Sequence, residues 1–258
     1  MKVRLLGCGS SGGVPTIGNV WGDCDPANPK NRRRRPSVMV EAGGTRVLVD
    51  TSPDMREQLL DAGIAGFDAV LYTHDHADHV HGIDDLRIVR RHTRRNIDVY
   101  AEPEVLDRLT RRFGYLFAGH GGLDGLYRPI CDPHVIDGRF RVGALDVLPV
   151  VQDHGICRSL GFRFGPFAYS TDVVALPEES LAALEGVDTW IVDCLRDGEP
   201  HPTHANLDVT LGWIERVKPR HTVLTHMNHQ TDYETMRKRL PPGIEPGYDG
   251  MTLEIPDA

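Results

Sequence analysis

The chain has few cysteines, and their arrangement does not suggest a disulfide framework. They are odd in number, scattered and without a CxxC pair; they are Cys8, Cys24, Cys131, Cys157 and Cys194. A disulfide-stapled secreted fold is therefore not expected. The sequence also lacks any hydrophobic run approaching the ~20 residues of a membrane-spanning helix, and its first residues lack the apolar stretch of a signal peptide. We therefore expect a cytoplasmic protein.

An excess of positive charge is absent as well. The formal net charge of -8 argues against broad, non-specific binding to nucleic acid or membranes, although a local basic patch can still steer an anionic ligand. The hydrophobic fraction of 40% and the charged fraction of 26% are typical of globular proteins. Because no repeat or low-complexity linker divides the chain, residues 1–258 are predicted to form a single domain.

Short β-branched runs alternate with segments of helical spacing. The runs predict strands at residues 3–6, 37–41, 46–50, 69–73, 97–101, 146–151, 161–164, 167–170, 190–193, 222–225 and 252–255. Helices are predicted at residues 53–62, 103–113, 177–184, 207–217 and 233–240, and loops at residues 23–36 and 118–124. This order suits two sheets packed face to face and covered by helices, or equally a doubly wound sheet.

A glycine-rich segment, Gly7-Cys8-Gly9-Ser10-Ser11-Gly12, follows the first predicted strand and matches the G-x-G-x-x-G pattern of dinucleotide-binding proteins. That function requires a helix to begin within the glycine run, so that its N-terminus meets a pyrophosphate. Here the run continues into Gly13-Val14-Pro15 and a loop rich in glycine, proline and aspartate. The segment is therefore predicted to be a tight turn with a structural role.

Three imidazoles and two carboxylates lie within six consecutive positions, directly after the strand predicted to end near Thr73. They are His74, Asp75, His76, Asp78 and His79. Imidazole nitrogen and carboxylate oxygen are ligands that borderline divalent ions such as zinc prefer. A polar surface loop is the alternative interpretation, but the density of ligand-type side chains favours a metal site.

This segment resembles the H-x-H-x-D-H signature of the metallo-β-lactamase superfamily, and later motifs follow in the order of that family. The resemblance implies a four-layer αββα sandwich, in which two mixed sheets are covered by helices. It also implies ligands at His154, at Asp172 in Tyr169-Ser170-Thr171-Asp172 and at His226 in Leu224-Thr225-His226. Taken singly, each of these three positions is more typical of a hydrogen-bonded structural residue.

The same resemblance implies two divalent ions in one site. His74, His76 and His154 would hold one ion, Asp78, His79 and His226 the other, and Asp172 would bridge both. Zinc or manganese is expected, with iron as a further candidate. Two ions ~3.5 to 4 Å apart can share and deprotonate a water while neutralising phosphoryl oxygens, so a bridging hydroxide would attack a phosphate ester. A carboxylate at Asp172, where some lactamases carry a thiolate, argues against antibiotic hydrolysis.

A histidine in the loop before residues 207–217 is a candidate for proton transfer. His204 stands in Pro202-Thr203-His204-Ala205-Asn206, and Asn206 is predicted to cap the helix. In similar phosphodiesterases the matching histidine protonates the leaving oxygen or stabilises the transition state, a task suited to a side chain with an ordinary pKa of about 6.5. The alternative is a hydrogen bond to a loop carbonyl. His204 and Asp78 are the predicted catalytic residues.

Within the superfamily, nearly the whole chain is similar to the phosphoribosyl cyclic-phosphate phosphodiesterases of phosphonate breakdown. The similarity runs from residues 7–15 through the ligand motifs to residues 224–230 and 247–251. Those enzymes also hold a structural zinc with three cysteines and one histidine. Here only Cys24 and His229 remain of that set, with Asn19 and Trp21 in place of the other thiolates. Because structural zinc is normally four-coordinate, none is expected.

Four consecutive arginines, residues 32–35, precede Pro36. Such a run could grip a phosphate through bidentate hydrogen bonds. The alternative is a solvated charged face, which is the more common use of a charge run.

The resemblance thus predicts a dinuclear metal-dependent phosphodiesterase whose partner is a small phosphodiester, either a cyclic sugar phosphate or a nucleotide. A tRNA 3′-processing endonuclease of the same superfamily is the first alternative, but it needs a broad basic surface. A metal-binding accessory protein of cofactor biosynthesis, without hydrolysis, is the second, and retention of every expected ligand and of His204 argues against it. No membrane or nucleic-acid partner is expected, and a homodimer is left open.

Overall fold

A computed structural model describes residues 1–118 and 128–256, so residues 119–124 of the predicted loop lie outside the described residues. The strands are β1 (Lys2–Gly7), β2 (Ser37–Ala42), β3 (Thr45–Val49), β4 (Ala69–Leu71), β5 (Ile97–Ala101), β6 (Cys131–Val135), β7 (Phe140–Val142), β8 (Leu145–Asp153), β9 (Arg158–Phe164), β10 (Phe167–Ser170), β11 (Thr189–Asp193), β12 (His221–Thr225), β13 (Ile244–Pro246) and β14 (Thr252–Glu254). The α-helices are α1 (Met55–Ala62), α2 (Ala77–Val80), α3 (Leu86–Thr93), α4 (Pro103–Arg112), α5 (Gly114–Phe117), α6 (Glu178–Leu184), α7 (Leu207–Val217) and α8 (Tyr233–Arg239).

The strands form two seven-stranded mixed sheets. The first has the order β14-β1-β2-β3-β4-β5-β6 and the second the order β13-β12-β11-β10-β9-β8-β7. In the first sheet, β14 to β3 pair antiparallel and β3 to β6 pair parallel. In the second, β7 to β10 pair antiparallel and β10 to β13 pair parallel. Two separate sheets exclude a single doubly wound sheet.

Two apolar clusters show how the layers pack. Because successive strand residues point to opposite faces, Val47 and Leu48 of β3 belong to different clusters. Val47 lies in the main core with Phe162 of the second sheet, and α6, α7 and α8 also contribute to that core. Leu48 lies in the second cluster, with α1, α3, α4 and α5. The predicted αββα sandwich is confirmed, and no helix in the described part of the chain is long and apolar enough to cross a membrane.

Three strands that the sequence did not predict, β6, β7 and β13, all lie at sheet edges. Pro133 stands inside β6 and Pro246 ends β13. Proline cannot donate a ladder hydrogen bond, so it is tolerated at an edge, where one side of the strand has no partner. β7 has three residues, too few for an alternating pattern to be recognised. Three of the four edge strands thus carry weak strand signals, whereas the fourth, β14, was predicted.

Three helices were also not predicted. α2 and α5 are single turns of four residues, and α3 buries only Leu86 and Val89, too little for a clear helical period. The helix predicted from residue 53 begins at Met55, because Pro53 and Asp54 form the turn before it.

The arginine run is divided among different environments. Arg33 is only 2% exposed and donates to oxygens of neighbouring loops, so a solvated face is wrong for this residue. Arg34 pairs with Asp61 at 2.7 Å, and Arg35 pairs with Asp54 at 3.1 Å. Adjacent arginines therefore have different partners and different burial, which the linear sequence could not show.

Asn19, Trp21, Cys24 and His229 occupy the positions that hold structural zinc in the similar enzymes, and here they take part in hydrogen bonds. Cys24 Sγ lies 3.5 Å from the carbonyl oxygen of His229 and accepts from Arg33 at 3.9 Å. Trp21 Nε1 donates to Asn19 Oδ1 at 3.1 Å. The absence of a structural zinc stays a prediction.

Asp232 joins this long loop to α8. Its Oδ1 accepts from Thr235 N at 2.9 Å, and its Oδ2 accepts from Asn31 Nδ2 at 2.6 Å and from Asp25 N at 3.2 Å. Burial alone would raise the pKa of this carboxyl, but hydrogen bonds from Thr235 and Asn31 outweigh it and lower the pKa to about 2. The ionised carboxylate therefore stabilises the fold.

Asp232→Asn keeps a helix-capping oxygen and removes the charge. Because the folded pKa lies below the unfolded one, the stabilisation is present at neutral pH and is lost as the pH falls toward 2. We expect the variant to be less stable by on the order of 1 kcal/mol at pH 7, and by less as the pH falls from about 5 to 3. Urea unfolding at pH 7 and pH 3.5 measures this, with Glu234→Gln, which removes a carboxylate paired with Arg237 on the same helix, as control. An equal difference at both pH values would contradict it.

Candidate metal centre

The candidate centre lies where the parallel strands of both sheets end. Carboxyl ends of parallel strands meet at one edge, the usual place for a site in sheets of this kind. Chain segments leaving β3, β4, β10, β11 and β12 place Asp50, His74, Asp172, Asp193 and His226 there. Residues distant in sequence are thus brought together by strand order.

Three of these residues adopt left-handed backbone conformations. Asp50, Asp172 and His226 have φ of 62°, 53° and 59°. Such a conformation is disfavoured for residues with a side chain, and it persists where the surrounding structure imposes it, often at functional sites. Each of the three lies just past the end of a strand, and its side chain lies near His79 or Asp172 of the candidate centre.

A first cluster consists of His74, His76, His154 and Asp172, whose ligand-type atoms all lie within 4.8 Å of one another. His154 Nε2 is 3.3 Å from His76 Nδ1. Asp172 Oδ1 lies 3.8 Å from His74 Nε2 and 3.6 Å from His154 Nε2. These are the residues predicted for one ion, and the structure brings them together.

A second cluster consists of Asp78, His79, Asp172 and His226, within the same limit. Asp172 Oδ2 lies 3.0 Å from His79 Nε2 and 3.4 Å from His226 Nε2. Asp78 Oδ2 lies 3.4 Å from His79 Nε2 and 3.7 Å from His226 Nε2. Asp172 therefore faces the first cluster with one oxygen and the second with the other, as a bridging ligand would.

The outward-facing nitrogens of His79 and His154 are held by hydrogen bonds. His79 Nδ1 bonds the fully buried Asp50 at 2.7 Å, and Asp50 also accepts from Thr73 N and Oγ1. His154 Nδ1 donates to the carbonyl oxygen of Thr203 at 2.7 Å. Bonds of this kind select the tautomer of a metal-binding histidine and direct its other nitrogen inward.

The unpartnered inner nitrogens fit metal ligands. Nε2 of His74, His79 and His226 is buried and has no hydrogen-bond partner among the described residues. Buried polar atoms are almost always satisfied, so three unsatisfied nitrogens facing carboxylates indicate that something else, such as a cation, satisfies them. The residues present thus fit a pair of divalent ions.

The pKa shifts of the buried imidazoles differ in direction. Burial alone would lower the pKa of His79 and His226, but Asp172 and Asp78 outweigh it, raising the pKa of His79 well above its ordinary value and that of His226 to about 9, so metal binding at the second cluster requires loss of these protons. Burial, together with the nearby imidazole of His79, holds the pKa of His74 well below its ordinary value, so this ring is neutral. Burial alone would raise the pKa of Asp172, but the imidazoles around it, His226 first, hold it well below the usual range. Neutral imidazole and ionised carboxylate are the forms that bind metal.

His204 stands beside both clusters. Its Nδ1 bonds Asp193 Oδ2 at 3.0 Å, and its Nε2 lies 3.9 Å from Asp172 Oδ1. The side chain is 12% exposed, and its ring stacks on that of His226 at 4.5 Å between centroids. Asn206 caps α7 as predicted, accepting from Val209 N. The bond to a carboxylate, and not to a loop carbonyl, leaves Nε2 directed toward the candidate centre.

Asp50 and Asp193 are functional candidates that the sequence analysis missed. Both end an apolar parallel strand, in Arg46-Val47-Leu48-Val49-Asp50 and Trp190-Ile191-Val192-Asp193. Asp193 Oδ2 also accepts from Val173 N at 3.0 Å, next to Asp172. A polar residue at the end of a buried strand was the available signal, but it does not show which histidine the carboxylate meets.

Comparisons with known proteins agree with this geometry. Residues 45–227 match the sequence model of a beta-lactamase superfamily domain. An octanoyltransferase of Porphyromonas gingivalis is 35% identical over 257 residues, which are 99% of this chain and 52% of that protein. A ribonuclease Z of a Bradyrhizobium species is 35% identical over 179 residues, 67% of this chain and 56% of that protein. The chain thus spans about half the length of these two relatives.

A solved structure is similar over nearly its full length. The crystal structure of a new diphosphatase from the PhnP family superposes with a TM-score of 0.88 at 37% sequence identity, covering 98% of this chain and 96% of that one. The similarity to this structure therefore holds for the amino-acid sequence as well as for the fold.

Proposed function

The chain belongs to the beta-lactamase superfamily, and on that premise we propose that it is a dinuclear metal-dependent phosphodiesterase acting on a small phosphodiester, a cyclic sugar phosphate or a nucleotide. The observation that carries the proposal is one carboxylate, Asp172, shared by two clusters of ligand-type residues. The similar PhnP-family structure is a diphosphatase, which supports reaction at phosphorus. We further propose that residues 1–258 act as one hydrolase domain.

In this proposal His74, His76 and His154 hold one ion, Asp78, His79 and His226 hold the other, and Asp172 contacts both. Divalent zinc, manganese or iron bound there would supply Lewis acidity toward phosphoryl oxygens and lower the pKa of water. Hydrogen bonds from His79 to Asp50 and from His154 to the Thr203 carbonyl hold these two ligands in place before substrate binds. This reduces the reorganisation needed in the reaction.

His204 supplies proton transfer. Asp193 holds Nδ1, so the tautomer is set and Nε2 faces the space above Asp172. In its protonated form the ring carries a second proton, on Nε2. Delivery of that proton to the leaving oxygen prevents the build-up of negative charge on a poor leaving group and leaves a neutral ring that still donates Nδ1–H to Asp193. Asp193 is a positioning residue, because it reaches the reacting atoms only through His204.

Two alternatives are less well supported. The ribonuclease Z relative favours tRNA 3′ processing, but the net charge of -8 disfavours contact with a long phosphate backbone. A non-hydrolytic accessory role leaves the pairing of His204 with Asp193 unexplained. The octanoyl transfer named for the Porphyromonas relative belongs to a protein of which this chain spans 52%, so we do not propose it.

Bis(p-nitrophenyl) phosphate tests the proposal. Protein loaded with zinc or manganese is expected to hydrolyse this diester at least about a hundredfold faster than protein stripped with a chelator, and re-addition of metal should restore the rate. A precursor tRNA with a 3′ trailer, assayed in parallel, should be cleaved far more slowly than by a ribonuclease Z. Metal-loaded protein without diester turnover would contradict the proposal, and rapid tRNA cleavage would favour the first alternative.

A further inference from the structure

A short hairpin, residues 16–20, stands beside the second cluster. Thr16 N donates to Val20 O at 3.0 Å and Val20 N donates to Thr16 O at 3.3 Å, so the three residues between them form the hairpin loop. Gly18 and Asn19 in this loop have φ of 91° and 60°, in the left-handed region that glycine and asparagine adopt most readily. The turn is therefore specified by its own residues.

Contacts on both sides of the hairpin hold it in place. Val14 pairs with the buried Arg33 through two backbone hydrogen bonds of 2.8 Å. Trp21 Nε1 donates to Asn19 Oδ1 at 3.1 Å, and the Arg32 guanidinium lies over the Trp21 ring, 5.3 Å from its centre. A segment that is fixed before a ligand binds loses little conformational entropy on contact with it.

Ile17 lies in the hairpin loop with its side chain in solvent. It is 101% exposed, the highest value among the large hydrophobic residues that the structure describes, and Val20 of the same hairpin is 49% exposed. A single exposed hydrophobic residue is ordinary, but one at the rim of a cavity offers a ligand apolar surface to cover. Covering that surface removes it from water, which is favourable.

A cavity of about 470 Å³ lies between this hairpin and the second cluster, within the size range of small-molecule sites. The apolar part of its wall comes from three separate chain segments, at Ile17, Pro53 and Ala77. Arg35 also lines the cavity, and its ion pair with Asp54 at 3.1 Å offsets its charge. Because Asp78 is part of the same wall, the cavity places apolar surface directly beside a predicted metal ligand.

The cavity lies away from the proposed proton donor. Within the described part of the chain, its wall includes neither His204 nor Asp193. His204 Nε2 lies near Asp172 Oδ1, the oxygen that faces the first cluster, whereas Asp78 belongs to the second. Since the leaving oxygen must meet His204, a group in the cavity belongs to the ester arm that stays on phosphorus, the retained arm.

We propose that this cavity binds an apolar group, aromatic or aliphatic, on the retained arm of the diester, and that Ile17 covers this group. The inference rests on the proposed function, because the reacting phosphate is taken to lie at the two clusters. Of the two substrate classes proposed above, a nucleotide carries such a group in its base, whereas a cyclic sugar phosphate has none. Ile17 is therefore a specificity-determining residue.

Isothermal titration calorimetry of the zinc-loaded protein tests the inference with phenyl phosphate and methyl phosphate, which resemble the product that keeps the retained arm. Wild type is expected to bind phenyl phosphate at least about fivefold more tightly, because the ring and Ile17 remove each other's apolar surface from water. Ile17→Ser should reduce this preference to about twofold or less and leave methyl phosphate binding unchanged. Ile17→Leu, which keeps the apolar volume, should retain it.

Val20→Ser is the matched control. Val20 lies on the same hairpin and is also exposed, but it is not part of the cavity wall. This variant should keep the wild-type preference for phenyl phosphate. Thermal unfolding of both serine variants should match wild type, because each changes an exposed side chain.

Hydrolysis supplies a second measurement. Bis(p-nitrophenyl) phosphate and methyl p-nitrophenyl phosphate release the same leaving group and differ only in the retained arm. The intrinsic reactivity of each diester is the same for every variant, so it cancels when variants are compared. The ratio of the two kcat/KM values should fall at least about fivefold in Ile17→Ser and stay unchanged in Val20→Ser.

Three results would overturn the inference: equal binding of the two monoesters by wild type, a wild-type preference in Ile17→Ser, or equal losses in the two serine variants. If wild type hydrolyses neither diester, the proposed function fails. Hydrolysis without a preference for the phenyl ester contradicts only the apolar site.

Discussion

Asp172→Asn is expected to lower diester hydrolysis by at least about 10³-fold and to reduce the metal content from two ions per chain toward one or none. The two carboxylate oxygens of Asp172 face different clusters, Oδ1 toward His74 and Oδ2 toward His79. An amide of the same shape presents an N–H₂ group to one cluster, which cannot act as a ligand, and has no negative charge to offset two cations. Metal analysis and steady-state kinetics of the same preparation measure both effects.

Asp75→Asn is the matched control for this experiment. Asp75 stands between His74 and His76 in the sequence, yet its carboxylate pairs with Arg108 at 2.8 Å and lies in neither cluster. We expect this variant to retain its metal and to lose less than about tenfold in rate, since partly exposed ion pairs contribute little. A variant at Asp172 that keeps both ions and the wild-type rate would show that the two clusters do not form a shared metal centre.

His204→Ala is expected to lower the rate by about 10²- to 10⁴-fold while the metal content stays at the wild-type level. Metal content should be retained here, unlike in Asp172→Asn, because His204 lies beside the clusters and its Nδ1 bonds Asp193. The loss should depend on the leaving group. An alkoxide needs a proton, whereas p-nitrophenolate leaves without one, so the largest effect is expected with an alkyl or nucleoside ester and about a tenfold effect with bis(p-nitrophenyl) phosphate.

Two further variants separate proton transfer from general disturbance of the site. Asp193→Asn should reduce the rate on the alkyl ester by about 10- to 100-fold, since it alters the tautomer and orientation of His204 without removing it. His201→Ala removes an imidazole whose ring lies 5.3 Å from that of His204 but which belongs to neither cluster, and should change the rate by less than about threefold. Equal losses on both leaving groups in His204→Ala would exclude the proposed acid role.

Much of the fold could be predicted from local patterns. β-branched and aromatic residues predict β2, β5 and β10 as strands. The helical period and the capping residue Asn206 predict α7. The three strands that were not predicted, β6, β7 and β13, are edge strands whose stability comes from one neighbour. Their own residues, including two prolines, carry too little preference to be recognised.

Some of the ligand-type residues could also be predicted from the local sequence. His74, His76, Asp78 and His79 are concentrated in one segment, and a local density of imidazole and carboxylate indicates metal chemistry by itself. His154, Asp172 and His226 carried no such local signal, and only the order of motifs in a resembling family selected them. The structure brings all seven together; their role as ligands stays a prediction that the Asp172 experiment tests.

Composition and charge by themselves indicated a globular protein, and the density of imidazoles and carboxylates after Thr73 indicated a metal site; the two-sheet sandwich was implied by the resemblance to a known family. Only the tertiary structure decided which carboxylates hold the histidines, since Asp50 meets His79 across 29 residues and Asp193 meets His204 across 11. It also separated adjacent arginines, burying Arg33 and pairing Arg35 with Asp54. The physical reason is that side-chain chemistry is a property of each residue, whereas distance and burial arise when parallel strands place separate segments at one edge.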